Sequence, residues 1–275
     1  MCASAYIFAA NPALDAELQR LVNRKAVFFA GLPGTGKSLL VHQLAHLARS
    51  RGRRVHLLQW DVARPIFEAA PAGQRYPIVD GVTHVVIRRA VGLWARAKVP
   101  EWWQANPGPA HLLLGEVPLA GNRLAELVTP AADDAEALLA SADCVFVLSV
   151  PSNDVRHRIE AERERRFEAP LHARELEDAP PDVMRDTWRD LLASAREAGL
   201  LPPGATADAA YDSEAYRVVY EHLLRHRNSV VLRIDAVLPT QAMSVYDYPD
   251  GSVFVLPNPK DVARWIERAE GGFGV

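Results

Sequence analysis

Eight consecutive residues, Gly31-Leu32-Pro33-Gly34-Thr35-Gly36-Lys37-Ser38, carry the strongest chemical signal in this chain. They fit the spacing G-x-x-x-x-G-K-[ST], between an apolar run (KAVFFAG) and a stretch of helical periodicity (KSLLVHQLAHLARSRG). Glycines at 31, 34 and 36 let the backbone curl until successive N–H groups point inward as an anion nest. The helix that follows adds the positive end of its dipole. In that frame Lys37 reaches the outer phosphates of a nucleoside triphosphate, and the Ser38 hydroxyl meets Mg²⁺. Pro33, Thr35 and Leu39 complete the phosphate-binding segment. The competing reading is an ordinary glycine turn, which does not explain the Lys-Ser pair at its end.

Many protein classes share such a loop, so the remaining segments must discriminate. No N-K-x-D guanine signature and no DExx helicase box follows, which favours ATP. The segment QWDVARPIFE closes the second strand and resembles the D-x-x-R placement of P-loop kinases such as adenylylsulfate kinases and zeta-toxin-like kinases. That resemblance implies Asp61 as the base for an acceptor hydroxyl and Arg64 as a ligand for substrate or phosphate. The plainer alternative is an acid that caps a helix beside a solvated arginine.

The segment HLLLGEVPLAGNR looks like the D-G-F-P-R stretch of adenylate kinases, with Pro118 at the proline. Here Gly115 falls where the family's acid stands, Glu116 follows it, and Leu119 replaces the arginine. The resemblance leaves Glu116 to hold Mg²⁺ through its water and Arg123 as a displaced substrate contact; a helix cap and a solvated cation are the alternatives. The run VPSNDVRHRIEAERERR resembles the start of a nucleotide-kinase lid, which implies Arg158 against the adenine and Arg163 near the transferring phosphates. Positive charge there suits phosphoryl transfer, and a lid excludes water. A solvated helix with i,i+4 ion pairs is the alternative. Arg156, Arg165 and Arg166 cannot be ranked from the sequence. VVLRIDA is similar to the last core strand of thymidylate-kinase-like proteins, whose following loop touches the adenine. Together the motifs resemble the nucleoside- and nucleotide-kinase-like P-loop superfamily over residues 25–240, in scattered pieces.

The elements that must position these residues alternate between strand and helix. Apolar spacing predicts a helix over 12–24, then strands at KAVFFAG, RRVHLLQWD, HLLLGE, DCVFVLSVP and SVVLRIDAV. Helices are expected at 82–98 (continuing into the aromatic VPEWWQANPGP), 119–128, 133–141, 152–168, 182–199 and 213–226. YDYPDGSVFVL reads as a hairpin turning at Asp250-Gly251, with a helix from Pro259. This alternation predicts an α/β P-loop NTPase fold: one doubly wound, mostly parallel five-stranded sheet with helices on both faces. A helical lid over 152–200 and a C-terminal extension over 241–275 complete a single domain spanning 1–275.

The 275 residues are 49% hydrophobic, enough for a substantial core. A net charge of −3 leaves no electrostatic footprint for nucleic acid. No run reaches the roughly 18 apolar residues that span a bilayer, and the first residues lack the basic start of a secretory signal. Cys2 and Cys144 form no disulfide framework, and Cys144 reads as a buried apolar side chain. These features read as a cytoplasmic protein. His42 and His46 stand i,i+4 without a third metal ligand. Residues 64–110 gather Arg75, Tyr76, Asp80, His84, Arg88 and Arg89 with Trp94, Trp102 and Trp103, a stretch suited to a planar anionic acceptor. Trp94 and Trp102 read more simply as core and His84 as a cap.

The function expected is ATP-dependent, Mg²⁺-requiring transfer of a terminal phosphate to a small-molecule acceptor. The competing expectation is a P-loop ATPase that acts as a nucleotide-dependent regulatory or binding protein. Acceptor identity and oligomeric state are not legible in the sequence.

Overall fold

The computed structural model describes residues 6–79, 81–201, 210–238, 240 and 243–273. Cys2, Asp80 and most of the proline-rich loop at 201–212 lie outside the described residues.

Local sequence accounts for most element boundaries. The Asn11 side chain accepts from the Leu14 amide and Pro12 opens helix α1 (Pro12–Leu21), which buries Leu14, Leu18 and Leu21. Strand β1 (Ala26–Ala30) is buried throughout, as an apolar run inside a parallel sheet must be. The glycine loop then leads into α2 (Lys37–Ser50), β2 (Arg54–Gln59) and α3 (Trp60–Ala69). Helix α4 (Val85–Ala105) is capped by His84 and runs through Pro100 into the aromatic segment. After β3 (His111–Val117) and the short α5 (Glu136–Leu139) comes β4 (Cys144–Pro151), buried along its whole length. Ser152 caps α6 (Asn153–Glu168), Pro181 opens α7 (Pro181–Glu197), and Asp212 caps α8 (Ser213–Leu223). Strands β5 (Ser229–Ile234) and β6 (Val253–Phe254) precede the final helix α9 (Val262–Glu270).

The six strands form one sheet in the order β5-β4-β1-β3-β2-β6, and every pair is parallel. On one face Val27 and Phe29 of β1 pack with Leu18 of α1 and Leu44 of α2. On the other, Phe28 packs among residues of α3, α4, α8 and α9, with Trp188 and Leu192 of α7 joining the same core. Strand β1 lies between β3 and β4, so the chain crosses over β1 on its way from β3 to β4. Such a crossing opens a crevice at the carboxyl ends of the strands. Gly31, Glu116 and Gln59 sit at that edge, in register Phe29 to Glu116 and Glu116 to Gln59. Among the described residues, no helix is long and apolar enough to cross a membrane.

Three expectations are corrected. The sheet has six strands, not five, because the expected C-terminal hairpin does not form. The turn at Asp250-Gly251 is present, but Val253 and Phe254 pair in parallel with His56 and Leu57, covering the open edge of β2. The helices expected at 119–128 and 133–141 shrink to single turns at Ala120–Asn122 and Ala125–Leu127 and to the four residues of α5. Leu119, Asn122 and Leu124 adopt φ values of 59°, 60° and 59°, which a right-handed helix cannot contain. The glycine read at position 115, Gly115 in place of a kinase-like acid, has a packing reason. A Cβ there would lie 2.5 Å from the Phe28 ring, which stacks on Phe146 at 5.1 Å.

Candidate functional site

The loop between β1 and α2 is held open by its glycines and tied down by its own carbonyls. Gly34 and Gly36 adopt φ of 75° and 83°, which disfavours any side chain. At Gly34 the crowding is steric as well, since a Cβ would meet Met184 Cε of α7 at 2.0 Å. Thr35 Oγ1 donates to the Leu32 carbonyl at 2.9 Å, and Ser149 Oγ at the end of β4 donates to Thr35 Oγ1 at 3.1 Å. Lys37 Nζ also donates to Leu32 O, at 2.8 Å. Helix α2 begins at Lys37 with Gly36 as its N-cap and no side-chain cap, so its first amides are left for another acceptor.

Beneath the loop a half-buried carboxylate lies in the field of a buried ammonium. Ser38 Oγ donates to Glu116 Oε2 at 3.3 Å, and Lys37 is buried beside them. Burial pushes the Lys37 ammonium down to about 8, with Glu116 pulling it back up. Burial likewise pushes the Glu116 carboxyl up to about 7, against the pull of Lys37; Asp61 and Asp178 push it further the same way. Asp61, in the first turn of α3, is exposed to solvent. The atoms crowded around its carboxyl still raise its pKa, while Arg64, Arg174 and Lys37 draw it down. Lys37, Glu116 and Asp61 therefore sense one another at the carboxyl edge of β1, β2 and β3.

A cavity of 400 Å³ opens from Lys37 and Ser38, between α6 and the segment that follows β5. Its walls are largely apolar, with Phe8, Ile159, Val237 and Val245 among them, and Leu39 lies along it. Pro33 contributes its carbonyl, which accepts from Arg156.

The arginines of α6 divide. Arg156 is buried, pairs with Glu160 at 2.9 Å and lies over the Tyr211 ring at 5.3 Å. Arg158 is exposed at the cavity wall. Arg163 donates to the Ala179 carbonyl at 2.9 Å and stands 3.5 Å from Asp178. Thus Arg156, which the lid resemblance did not single out, is the α6 arginine that touches the loop.

Two other expected residues lie outside that cavity, beyond Asp61. Arg64 is engaged by Glu68 at 3.0 Å, which also accepts from Thr83. Arg123 follows the turn after β3, with its Nε buried and without a hydrogen bond. Trp94 and Trp102 belong to the core, and His84 caps α4 by accepting from the Val86 amide. His42 and His46 both approach the Asp247 carbonyl, at 3.0 and 3.3 Å. Among the described residues, no group of three or more His, Cys, Asp or Glu could hold a metal ion.

Sequence reasoning missed the C-terminal wall of the site. Tyr246 Oη donates to Asp178 Oδ1 at 2.6 Å, and Gln59 Nε2 donates to Tyr248 Oη at 2.6 Å. Arg174 lies over the Tyr246 ring at 4.5 Å. Burial raises both phenols' pKa values, and Glu116 raises them further. The only signal available beforehand was the Tyr-x-Tyr pair in YDYPDG.

No protein-family model matches the chain, and no curated protein matches it.

Proposed function

We propose that this chain is a P-loop NTPase of the small-molecule-kinase type, moving the terminal phosphate of ATP to a small-molecule acceptor. The observation that carries the reading is the hydrogen bond from Ser38 to Glu116 beside the buried Lys37, with Lys37 and Ser38 both lining the cavity. The parallel sheet, with its crossing at β1, supports the same reading.

In this reading the loop amides and Lys37 hold the phosphates, and Lys37 exchanges its bond to Leu32 O for phosphate oxygens. The apolar walls take the base. Mg²⁺ fits the donor set, because it prefers oxygen and keeps most of its own waters, so one hydroxyl and one carboxylate suffice. Ser38 and Glu116 would hold it, and it would neutralise charge on the phosphate oxygens. Asp61 accepts the proton of the acceptor hydroxyl as that oxygen bonds the transferred phosphorus and the ADP oxygen departs. Arg163 and Arg158 supply positive charge along the donor.

The test is transfer of labelled terminal phosphate from ATP·Mg²⁺ into pooled nucleosides, nucleotides, sugars and amino acids, with Lys37→Ala as control. A labelled product that falls by about a hundredfold or more in the variant is expected. Label found only as free phosphate would replace this reading with that of a nucleotide-dependent regulatory protein. Equal labelling by the variant would overturn the site assignment.

A further inference from the structure

Beyond Asp61 the structure gathers three guanidiniums, of which only Arg64 has a carboxylate partner among the described residues. The turn after β3 carries Leu119, Asn122 and Leu124 in left-handed conformations, a local cost that fixes where Arg123 points. The Arg123 side chain makes no hydrogen bond or ion pair among the described residues, and its Nε is shut away from water. Arg88 of α4 reaches the same turn and donates from Nη1 to Gly121 O at 2.6 Å, with its own Nε buried and unmatched. Arg64 is the third guanidinium, already engaged by Glu68. Asp61 is the acid whose charge acts on Arg123, and Arg88 and Arg64 both oppose the Arg123 charge.

A half-buried guanidinium without a carboxylate is costly, whereas its planar fork matches a carboxylate, phosphate or sulfate with two parallel hydrogen bonds. A turn held in three strained conformations would be an odd place to keep an idle cation. We infer that Arg123 and Arg88 form an anion subsite that holds a carboxylate, phosphate or sulfate group of the acceptor next to Asp61. The acceptor is then a hydroxyl compound that also bears an oxyanion. A neutral analogue is rejected because it leaves both guanidiniums without an anion. This inference rests on the proposed kinase reading for the role of Asp61, but the anion subsite itself does not require phosphoryl transfer.

The experiment separates the two. In Lys37→Ala protein, with the phosphate loop disabled, inorganic phosphate, sulfate and succinate are each titrated by calorimetry. At least one is expected to bind, and to lose tenfold or more in affinity when Arg123→Met is added, with partial recovery for Arg123→Lys. The arm that binds names the anion. No binding of any of the three, or binding indifferent to Arg123, overturns the subsite whether or not the chain transfers phosphate. The thermal midpoint gives a second readout: Arg123→Met is expected to leave Tm unchanged or raise it, since an unmatched cation is removed. A fall in Tm would make Arg123 a structural residue and overturn the inference.

Discussion

In the glycine loop Lys37, Thr35 and Ser149 all find acceptors within the chain, whereas across Glu116 the Arg123 side chain finds none among the described residues. The two regions stand on neighbouring strand ends of one sheet, yet they keep their polar groups in opposite states. The loop is preorganised: its cation rests on a carbonyl that a phosphate oxygen can replace, so the empty loop carries little strain. The arginine turn is held by backbone strain and an unmatched charge, and a ligand would relieve it. Where polar groups are already satisfied, geometry is stored in backbone conformation; where they are not, it is stored as readiness for an anion.

The largest expected effect falls on the acid between the two regions. Glu116→Gln removes the carboxylate that faces Ser38 and Lys37, and transfer should drop by about a hundredfold. Its effect on stability has a definite sign. The folded carboxyl titrates near 7 and the ordinary value is 4.5, so between these the folded chain holds a proton the unfolded chain has lost. Stability contributed by this group therefore falls as pH rises across that window. Denaturant titrations at pH 5 and pH 7.5 should show a smaller decline for Glu116→Gln than for wild type. An unchanged pH slope would mean that Glu116 is not buried as a charge.

The α6 arginines sharpen the donor side of the comparison. Arg156→Ala removes the nearer partner of Glu160, leaving Arg185 at 3.8 Å, and the donor to Pro33 O, and should cost about 2 kcal/mol in chemical unfolding. Arg158→Ala, on the exposed wall, should change stability by less than about 0.5 kcal/mol while raising the KM for ATP. Equal destabilisation by both would erase the distinction between a packing arginine and a ligand-facing one.

Within the loop the smallest effects distinguish conformation from crowding. Gly36→Ala meets no atom within 4 Å and should cost about 1 kcal/mol for its left-handed backbone alone. Gly34→Ala adds a clash with Met184 and should cost about 2 kcal/mol. Pairing it with Met184→Ala should recover part of the difference if the methionine is the obstacle.

Legibility tracked how local each feature is. Ser152, Asn11 and Asp212 announce helix starts because a cap bonds an amide three residues away. Strands β1 and β4 were readable for a similar reason, since a run buried on both faces has to be apolar. The two short helices after β3 were misread because their apolar spacing suits a helix, while tertiary packing forces left-handed residues into the turn.

By itself the sequence determined the glycine loop, the alternation that builds a sheet with helices on both faces, and the acids at the strand ends. These depend on contiguous residues, whose backbone preferences act over a few bonds. Only the tertiary structure decided that Arg156 rather than Arg158 meets the loop, that β6 joins the sheet in parallel, and that Tyr246, Tyr248 and Asp178 wall the site. Those contacts join residues as far apart as Gln59 and Tyr248, 189 positions along the chain. Their pairing follows from how the whole core closes, which no local pattern encodes.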